Sequence, residues 1–439
     1  MKYTLVPLFA LCFLTLKASA NICGTDYQNF NPTTSGLDFV TVQSTETLKP
    51  CIINMGLFLN FSRDSLTYSQ VLNNNYPAGQ KRKDKTLAAD LSAGVGITEN
   101  WDFGINMPIL LNQTVASDHY VSSFDDQGIM EIKANTKYRF WGGESSGLAA
   151  VLSMNKNLVE DNPFTGTGGG PTWNFELSAD TTFATKWAGA VNLGYRLRDP
   201  GEQIVGVPFV PLEDQYIYSL AGSYLFSEID TKLILELYGS RAVRHVAFDS
   251  DRNLNALEAL IGIKHDYSES IALHFGGTHQ IGESLGGAEW RVYAGLNWAI
   301  GPYCKTKNDV LVSSITNQAP NMPKMEEFTL DVELLFGINL DIVDPESFDK
   351  LDSLFKEMFA RKYDRMVIEG HTDSIGDPDY NMSLSQRRAL YVRQEIIARF
   401  KIPSDKIAIA GYGQTQPIAD NGNYQGRKKN RRVMIKVWR

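Results

Sequence analysis

Residues 289–300, EWRVYAGLNWAI, alternate strictly between two kinds of side chain. Every second residue from Trp290 to Trp298 is apolar, and the residues between them include Arg291 and Asn297. A period of two is typical of a β-strand with one apolar and one polar face. The stretch therefore predicts a strand whose two faces meet different surroundings.

The same alternation recurs through the preceding 240 or so residues and predicts twelve strands, with ten as the nearest alternative. Each segment is about as long as a tilted strand needs to cross a bilayer. The connections alternate between long polar loops and tight turns, as in outer-membrane barrels, and an even strand number returns the chain to its starting side. The predicted strands are 53–62, 86–98, 101–112, 128–141, 147–158, 173–184, 187–198, 214–226, 231–243, 255–267, 271–281 and 288–300.

A soluble β-sandwich also produces alternation, but two features favour a membrane barrel. Charged residues repeatedly fall on the face opposite the apolar one, and aromatic residues cluster at strand ends. The mean hydropathy of −0.22 excludes a bundle of transmembrane helices, and the net charge of −8 argues against nucleic acid as a partner. We therefore predict a transmembrane antiparallel β-barrel of about twelve strands over residues 51–301, with outer-membrane lipid around it.

The predicted inward face carries charges of both signs, which permits two interpretations. These charges pair with one another in a closed lumen, or they line a diffusion pore. The residues concerned are Glu131, Lys133, Lys137, Arg139, Glu176, Asp180, Lys232, Glu236, Glu258, Lys264, Glu289 and Arg291.

The N-terminus predicts export. Residues 5–16, LVPLFALCFLTL, follow Lys2 and precede a small-residue cleavage site at residues 18–20, so residues 1–20 are expected to be a signal peptide. Residues 21–50 would then form an N-terminal periplasmic segment.

Three cysteines remain after the predicted cleavage, in an oxidising compartment. Cys23 and Cys51 are the preferred disulfide pair, while Cys304 competes for either partner. No zinc spacing, HExxH motif or nucleophile–base pair is present, so we expect no metal, no cofactor and no enzymatic activity.

The pattern changes near the C-terminus. Residues 302–326 are polar and predict a linker, whereas residues 327–439 alternate strands and helices and predict a compact two-layer α/β domain. Asp344-Pro345 predicts the start of one helix, and the capping box Ser383-Leu384-Ser385-Gln386 predicts the start of a second helix, which carries Arg388.

Five blocks of this segment resemble the OmpA-like domain that is shared by Pal-type lipoproteins and flagellar stator subunits. They are LLFGINLDIVDPES at 334–347, VIEGHTDSIG at 367–376, YNMSLSQRRA at 380–389, GYGQTQPIADN at 411–421 and GRKKNRRV at 426–433. A barrel followed by this domain is the arrangement of OmpA-type proteins. The resemblance implies an outer-membrane location with the C-terminal domain in the periplasm.

The resemblance also implies a ligand, the diaminopimelate of the peptidoglycan stem, whose far end carries an ammonium and a carboxylate on one carbon. Asp373 would bind the ammonium and Arg388 the carboxylate through parallel hydrogen bonds. Without the resemblance, an Asp373–Arg388 salt bridge would be the simpler interpretation. Four further residues occupy positions that line the same groove in the family: Asn339, Thr372, Asn381 and Arg431.

The leading functional hypothesis is therefore a tether between the outer membrane and the cell wall, which supports envelope integrity. The alternative is a porin or diffusion channel with a secondary cell-wall anchor. The sequence leaves the oligomeric state open.

Overall fold

The computed structural model describes residues 29–37, 39–64, 83–116, 127–142, 146–159, 162, 164–183, 186–203, 210–226, 229–243, 255–268, 270–281, 287–303, 327–330, 365–375, 378–422 and 424–438. The expected signal peptide, the linker, Asn339 and the helix expected at Asp344 lie outside these ranges. Cys51 is disulfide-bonded, and Cys23 and Cys304 also lie outside the described ranges.

Twelve long antiparallel strands form a closed barrel. The first strand pairs with both the second and the last, so that the sheet has no free edge. The count of twelve is confirmed, and the alternative of ten is wrong. The strands are β1 (Ile53–Arg63), β2 (Lys83–Thr98), β3 (Trp101–Ala116), the two-residue β4 (Gly128–Ile129), β5 (Glu131–Gly142), β6 (Ser146–Asn157), β7 (Thr172–Phe183), β8 (Trp187–Leu197), β9 (Gln215–Phe226), β10 (Thr231–Ala242), β11 (Ala256–Asp266), β12 (Ile271–Gln280) and β13 (Trp290–Ile300).

The outer surface of the barrel is an apolar belt. Along β13, Trp290, Val292 and Leu296 are exposed, while Arg291 and Asn297 point inward and are buried. The two faces therefore follow the predicted alternation. An apolar outer face and a polar inner face are what a strand needs between lipid and lumen. Among the helices that the structure describes, none combines the length and apolar character needed to cross a bilayer.

The interior of the barrel is filled by the N-terminal part of the chain. The described residues between Asn29 and Pro50, here called the lumen segment, contact inward-facing side chains from strands around the barrel. Glu236 of β10 accepts a hydrogen bond from the Val40 N–H at 2.6 Å, and Asp180 of β7 accepts one from the Thr45 N–H at 2.7 Å. The expectation of a periplasmic segment over residues 21–50 is therefore wrong for this part.

Lysines from other strands hold the same segment by its carbonyl groups. Lys264 of β11 donates to the carbonyl of Gly36 at 2.9 Å, and Lys137 of β5 donates to that of Ser44 at 3.1 Å. The inward charges thus pair largely with the lumen segment and less with one another, although Lys133 does contact Glu131 at 2.6 Å. The charged side chains face the lumen, as predicted for a closed lumen, but the lumen segment was not predicted as their main partner.

Apolar side chains anchor the middle of the lumen segment. Its aromatic and β-branched residues form one cluster with inward-facing apolar residues of the barrel wall. Phe30 lies 5.0 Å from Tyr293 between ring centroids, and its exposed fraction is 1%. The buried residues of the cluster are Phe30, Phe39, Val40, Val42, Phe58, Ala190, Ala221, Ile234, Tyr238, Leu260 and Tyr293.

The C-terminal domain has a four-stranded mixed sheet with a long helix packed on it. The strands are β14 (Glu327–Leu330), β15 (Arg365–Gly370), β16 (Ile407–Gly411) and β17 (Val433–Trp438), in the order β14-β17-β15-β16. Helix α1 (Pro378–Phe400) buries Ala389, Val392 and Ile396 against this sheet, as the helical spacing predicts. A second helix, α2 (Tyr424–Asn430), leads into β17. The predicted two-layer α/β domain is confirmed.

Candidate functional site

The site begins where β15 meets α1. Gly370 ends the strand, and a Cβ atom on it would lie 2.0 Å from the backbone oxygen of Ser385. Only a glycine allows the strand and the helix to approach so closely. The next residues, His371 to Ile375, therefore leave the sheet directly beside the helix.

Helix α1 begins earlier than the sequence predicts. It begins at Pro378, whose fixed φ suits the first turn, and Ser383 lies within it. Ser383 Oγ accepts a hydrogen bond from Arg387 Nη1 at 2.7 Å, so its side chain is used in the helix interior. The predicted capping box is wrong. Arg388 consequently lies in the middle of the helix. The electrostatic effect of the helix N-terminus falls off within the first turn, so it contributes little to anion binding at Arg388.

One face of α1 points into the site. Asn381, Ser385 and Arg388 follow one another at intervals of four and three residues, which places them on the same side of a helix. All three have an exposed fraction of 0%. Ser385 Oγ accepts a hydrogen bond from the N–H of Gly413 at 2.9 Å, and this bond holds the loop after β16 against that face. Gly413 has a φ of +52°, a conformation that favours glycine.

Asp373 is the buried acid of the site, with an exposed fraction of 0%. Its Oδ2 accepts a hydrogen bond from Arg431 Nη1 at 3.0 Å, and its Oδ1 accepts one from the Ile375 N–H at 3.1 Å. The ion pair seen here joins Asp373 to Arg431, which lies between α2 and β17. A carboxylate has about four acceptor positions, so it can accept hydrogen bonds from several donors at once.

Asn381 connects the acid to the neighbouring loop. Its Nδ2 lies 3.3 Å from the carbonyl oxygen of Asp373, 3.2 Å from that of Ile375 and 2.9 Å from Gln414 Oε1. Its Oδ1 is buried and accepts no hydrogen bond from the residues that the structure describes. The amide therefore presents an unused acceptor beside Asp373.

Thr372 and His371 complete the described wall of the site. The N–H of Thr372 donates to the carbonyl of Gly413 at 2.9 Å. The imidazole of His371 stacks on Tyr412, with 5.4 Å between ring centroids. Burial, reinforced by the positive charges of Arg432 and Lys436, lowers the pKa of His371 to about 4. The ring is therefore neutral at neutral pH.

Four of the six predicted site residues are thus brought together: Thr372, Asp373, Asn381 and Arg431. Arg388 shares a helix face with Asn381. Asn339 lies outside the described residues. Gln414 was not among the predicted site residues, although it lies in the GYGQTQPIADN block. Within the described part of the chain, no group of histidine, cysteine and acidic side chains has the arrangement of a metal site.

The site faces the end of the barrel where β1 begins and β13 ends. Arg431 Nη2 lies 2.7 Å from Oδ2 of Asp230, in the turn between β9 and β10. Arg427 of α2 lies over the ring of Tyr267, in the next turn at this end, 5.7 Å from the centroid. Nothing in the sequence pattern indicated these contacts.

Comparisons with known proteins find similarity in both parts of the chain. Residues 335–431 match the OmpA family. The outer-membrane lipoprotein YfiB of Pseudomonas aeruginosa is 40% identical over 114 residues, which are 25% of this chain and 66% of that protein. Outer membrane protein A of Serratia marcescens is 25% identical over 274 residues, which are 60% of this chain and 71% of that protein. An outer membrane channel from Pseudomonas putida superposes with a TM-score of 0.46 at 12% identity, covering 58% of this chain and 98% of that one.

The chain spans just under two thirds of the length of the lipoprotein and about a third of the length of two further relatives. The closed barrel with its apolar belt, joined to this C-terminal domain, defines an outer-membrane protein whose C-terminal domain is periplasmic. The domain itself belongs to the OmpA family. The end of the barrel that bears Asp230 and Tyr267 is thus the periplasmic end.

Proposed function

We propose that the protein tethers the outer membrane to the cell wall. The barrel is held in the membrane by its apolar belt, and the periplasmic domain binds the diaminopimelate of the peptidoglycan stem without a covalent bond. Diaminopimelate presents an ammonium and a carboxylate on one carbon. A site that binds both needs an acid and a base in one cleft.

The observation that carries this proposal is the set of buried polar groups around Asp373. The carboxylate of Asp373 and the unused Oδ1 of Asn381 are acceptors for the ligand ammonium. Arg388, on the same helix face as Asn381, donates to the ligand carboxylate, and a guanidinium suits that role because it forms two parallel hydrogen bonds. Burial strengthens these interactions, since little water competes for them.

The alternative function, a diffusion channel, is less well supported. The lumen segment occupies the interior and is held by hydrogen bonds to both acidic and basic side chains of the wall. A pore for solutes needs a continuous aqueous path, and a filled interior opposes one. The closed interior therefore favours a structural role for the barrel.

The test is co-sedimentation of the purified full-length protein with insoluble peptidoglycan. Arg388→Ala and Asp373→Asn are expected to abolish sedimentation. The matched control is Arg399→Ala on the same helix, because Arg399 pairs with Glu395 on the exposed side of α1 at 3.1 Å. Heat-modifiable gel migration reports whether each variant retains a folded barrel.

A second arm tests the chemistry of the ligand. Peptidoglycan with lysine in place of diaminopimelate keeps the ammonium but lacks the neighbouring carboxylate. We expect it to bind far more weakly, and we expect excess free diaminopimelate to release the bound protein. Equal sedimentation of Arg388→Ala and Arg399→Ala would refute the tether.

A further inference from the structure

Arg431 joins the candidate site to the barrel. One terminal nitrogen of its guanidinium lies 3.0 Å from Asp373 and the other lies 2.7 Å from Asp230. The exposed fraction of Arg431 is 2% and that of Asp230 is 7%. A guanidinium shared between two buried carboxylates forms charge-assisted hydrogen bonds to both, which are among the stronger hydrogen bonds in proteins.

A second contact lies beside this ion pair. Tyr380 and Leu384 of α1 are buried in one cluster with Leu48 of the lumen segment and Ile52, which immediately precedes β1. Asn381 stands between Tyr380 and Leu384 on the helix, so the apolar contact borders the candidate site directly. The stacking of Arg427 on Tyr267 adds a third contact from another turn of the barrel.

The residues of the site are buried in this docked arrangement. Asp373, Asn381, Arg388 and Arg431 each have an exposed fraction of 2% or less in the docked arrangement. A peptide stem that is part of a large polymer needs an open approach to such groups. Asp230 offers Arg431 a carboxylate, and a diaminopimelate ligand also offers a carboxylate to an arginine.

We propose that the docked arrangement is a closed state, in which Asp230 acts as an internal carboxylate that competes with the cell wall. Release of Arg431 from Asp230 opens the site, and the peptide stem then replaces the barrel as its partner. Docking on the barrel and binding of peptidoglycan exclude one another. This inference rests on the proposed function, because it assumes that the cleft around Asp373 binds the peptide stem.

The test uses Asp230→Asn in the full-length protein in detergent micelles, with diaminopimelate-type peptidoglycan as the probe. Asparagine preserves the shape of the side chain and tolerates the positive φ of 46° at this position. Because the ion pair with Arg431 is lost, we expect binding to tighten by about tenfold, which corresponds to 1.4 kcal/mol. Tyr267→Ala removes a different docking contact and is expected to tighten binding in the same direction.

Glu99→Gln is the matched control. Glu99 lies in the exposed turn between β2 and β3 at the same end of the barrel, so the substitution removes one negative charge there without touching the domain contacts described above. It is expected to bind peptidoglycan like the unmodified protein. Heat-modifiable migration confirms in each case that the barrel is folded.

The outcomes separate the two proposals. Tighter binding by Asp230→Asn and Tyr267→Ala, with Glu99→Gln unchanged, supports the closed state. Unchanged or weaker binding by Asp230→Asn, while Asp373→Asn abolishes binding, overturns the closed state and leaves the tether standing. Full binding by Asp373→Asn overturns both.

Discussion

Glu236 holds Thr41 inside the barrel by two hydrogen bonds. Its Oε2 accepts one from Thr41 Oγ1 at 2.5 Å and another from the Thr41 N–H at 3.0 Å. The two residues are 195 positions apart in sequence. This pair, together with the bond from the Val40 N–H, fixes the lumen segment to β10 near the middle of the strand.

Weakening this attachment is expected to open the lumen. Glu236→Gln replaces a carboxylate that accepts several hydrogen bonds, each of which contributes about 1.5–3 kcal/mol when one partner is charged. We expect the unmodified protein to be silent in planar bilayers and Glu236→Gln to show transient conductance. Deletion of residues 29–48 should give larger and lasting openings.

The control for this measurement is Asp214→Asn. Asp214 lies at the opposite end of the barrel from the periplasmic turns and accepts a hydrogen bond from the Tyr195 hydroxyl at 2.6 Å. This substitution should leave the protein silent. Stable conductance by the unmodified protein would show instead that the lumen segment leaves a path for ions.

The apolar belt predicts a depth-dependent cost of charge. Leu193 lies near the middle of β8, is 63% exposed and is paired with Leu177 of β7. Leu193→Lys should destabilise the inserted barrel by about 2–4 kcal/mol, whereas Leu197→Lys at the strand end should cost about 0–1 kcal/mol. Urea unfolding in liposomes measures both. Equal costs at the two positions would contradict the assignment of this face to lipid.

The close approach of β15 and α1 predicts that Gly370 cannot carry a side chain. In Gly370→Ala the new methyl group would meet the Ser385 carbonyl and force strand and helix apart. We expect a loss of about 1–3 kcal/mol from overpacking, together with weaker binding of peptidoglycan. Gly422→Ala is the comparison, because a Cβ there meets only the side-chain carboxylate of Asp420, whose nearest oxygen lies 3.2 Å away. Thermal unfolding should separate the two variants clearly.

His371 predicts a pH dependence of the periplasmic domain. Its pKa is about 4 in the folded protein and about 6.5 in the unfolded chain, so the unfolded state binds more protons between these values. The contribution of the neutral ring is present above pH 6.5 and is lost as the pH falls towards 4. An NMR titration of the imidazole should show a midpoint near 4.

The stability consequence of His371 can be separated from that of the carboxylates by substitution. His371→Gln lacks the titrating ring, so its unfolding midpoint should fall less between pH 7 and pH 4.5 than that of the unmodified protein. A parallel decline in both proteins would assign the pH dependence to other groups.

The barrel was predictable because the alternation of apolar and polar side chains within each strand shows which face meets lipid and which meets the lumen. In β13 the side chains that meet lipid and those that meet the lumen alternate, and no distant residue is needed to recognise the pattern. The position of Asp373 was predictable for a different reason, since the GHTD block is local and specific. Its ion pair with Arg431 involves residues 58 positions apart and required the structure.

The lumen segment was missed because it has no periodic pattern. Phe30, Phe39, Val40 and Val42 are apolar at irregular spacing, and their partners come from strands throughout the barrel. The capping box was predicted wrongly because its local pattern is clear but does not set the start of the helix. Ser383 and Gln386 have a favourable local spacing, but Pro378 begins the helix earlier and tertiary packing extends it through that position.

The barrel wall grips the lumen segment largely through its main chain. Glu236, Asp180 and Asp102 receive N–H groups of Val40, Thr45 and Leu48, while Lys264 and Lys137 bind carbonyl groups. Every residue except proline offers the same N–H and carbonyl groups, so these bonds depend little on which side chains the segment carries. Outside its apolar anchors and the threonines whose hydroxyl groups donate to Glu236 and Asp180, we expect the segment to tolerate substitution better than the wall that encloses it.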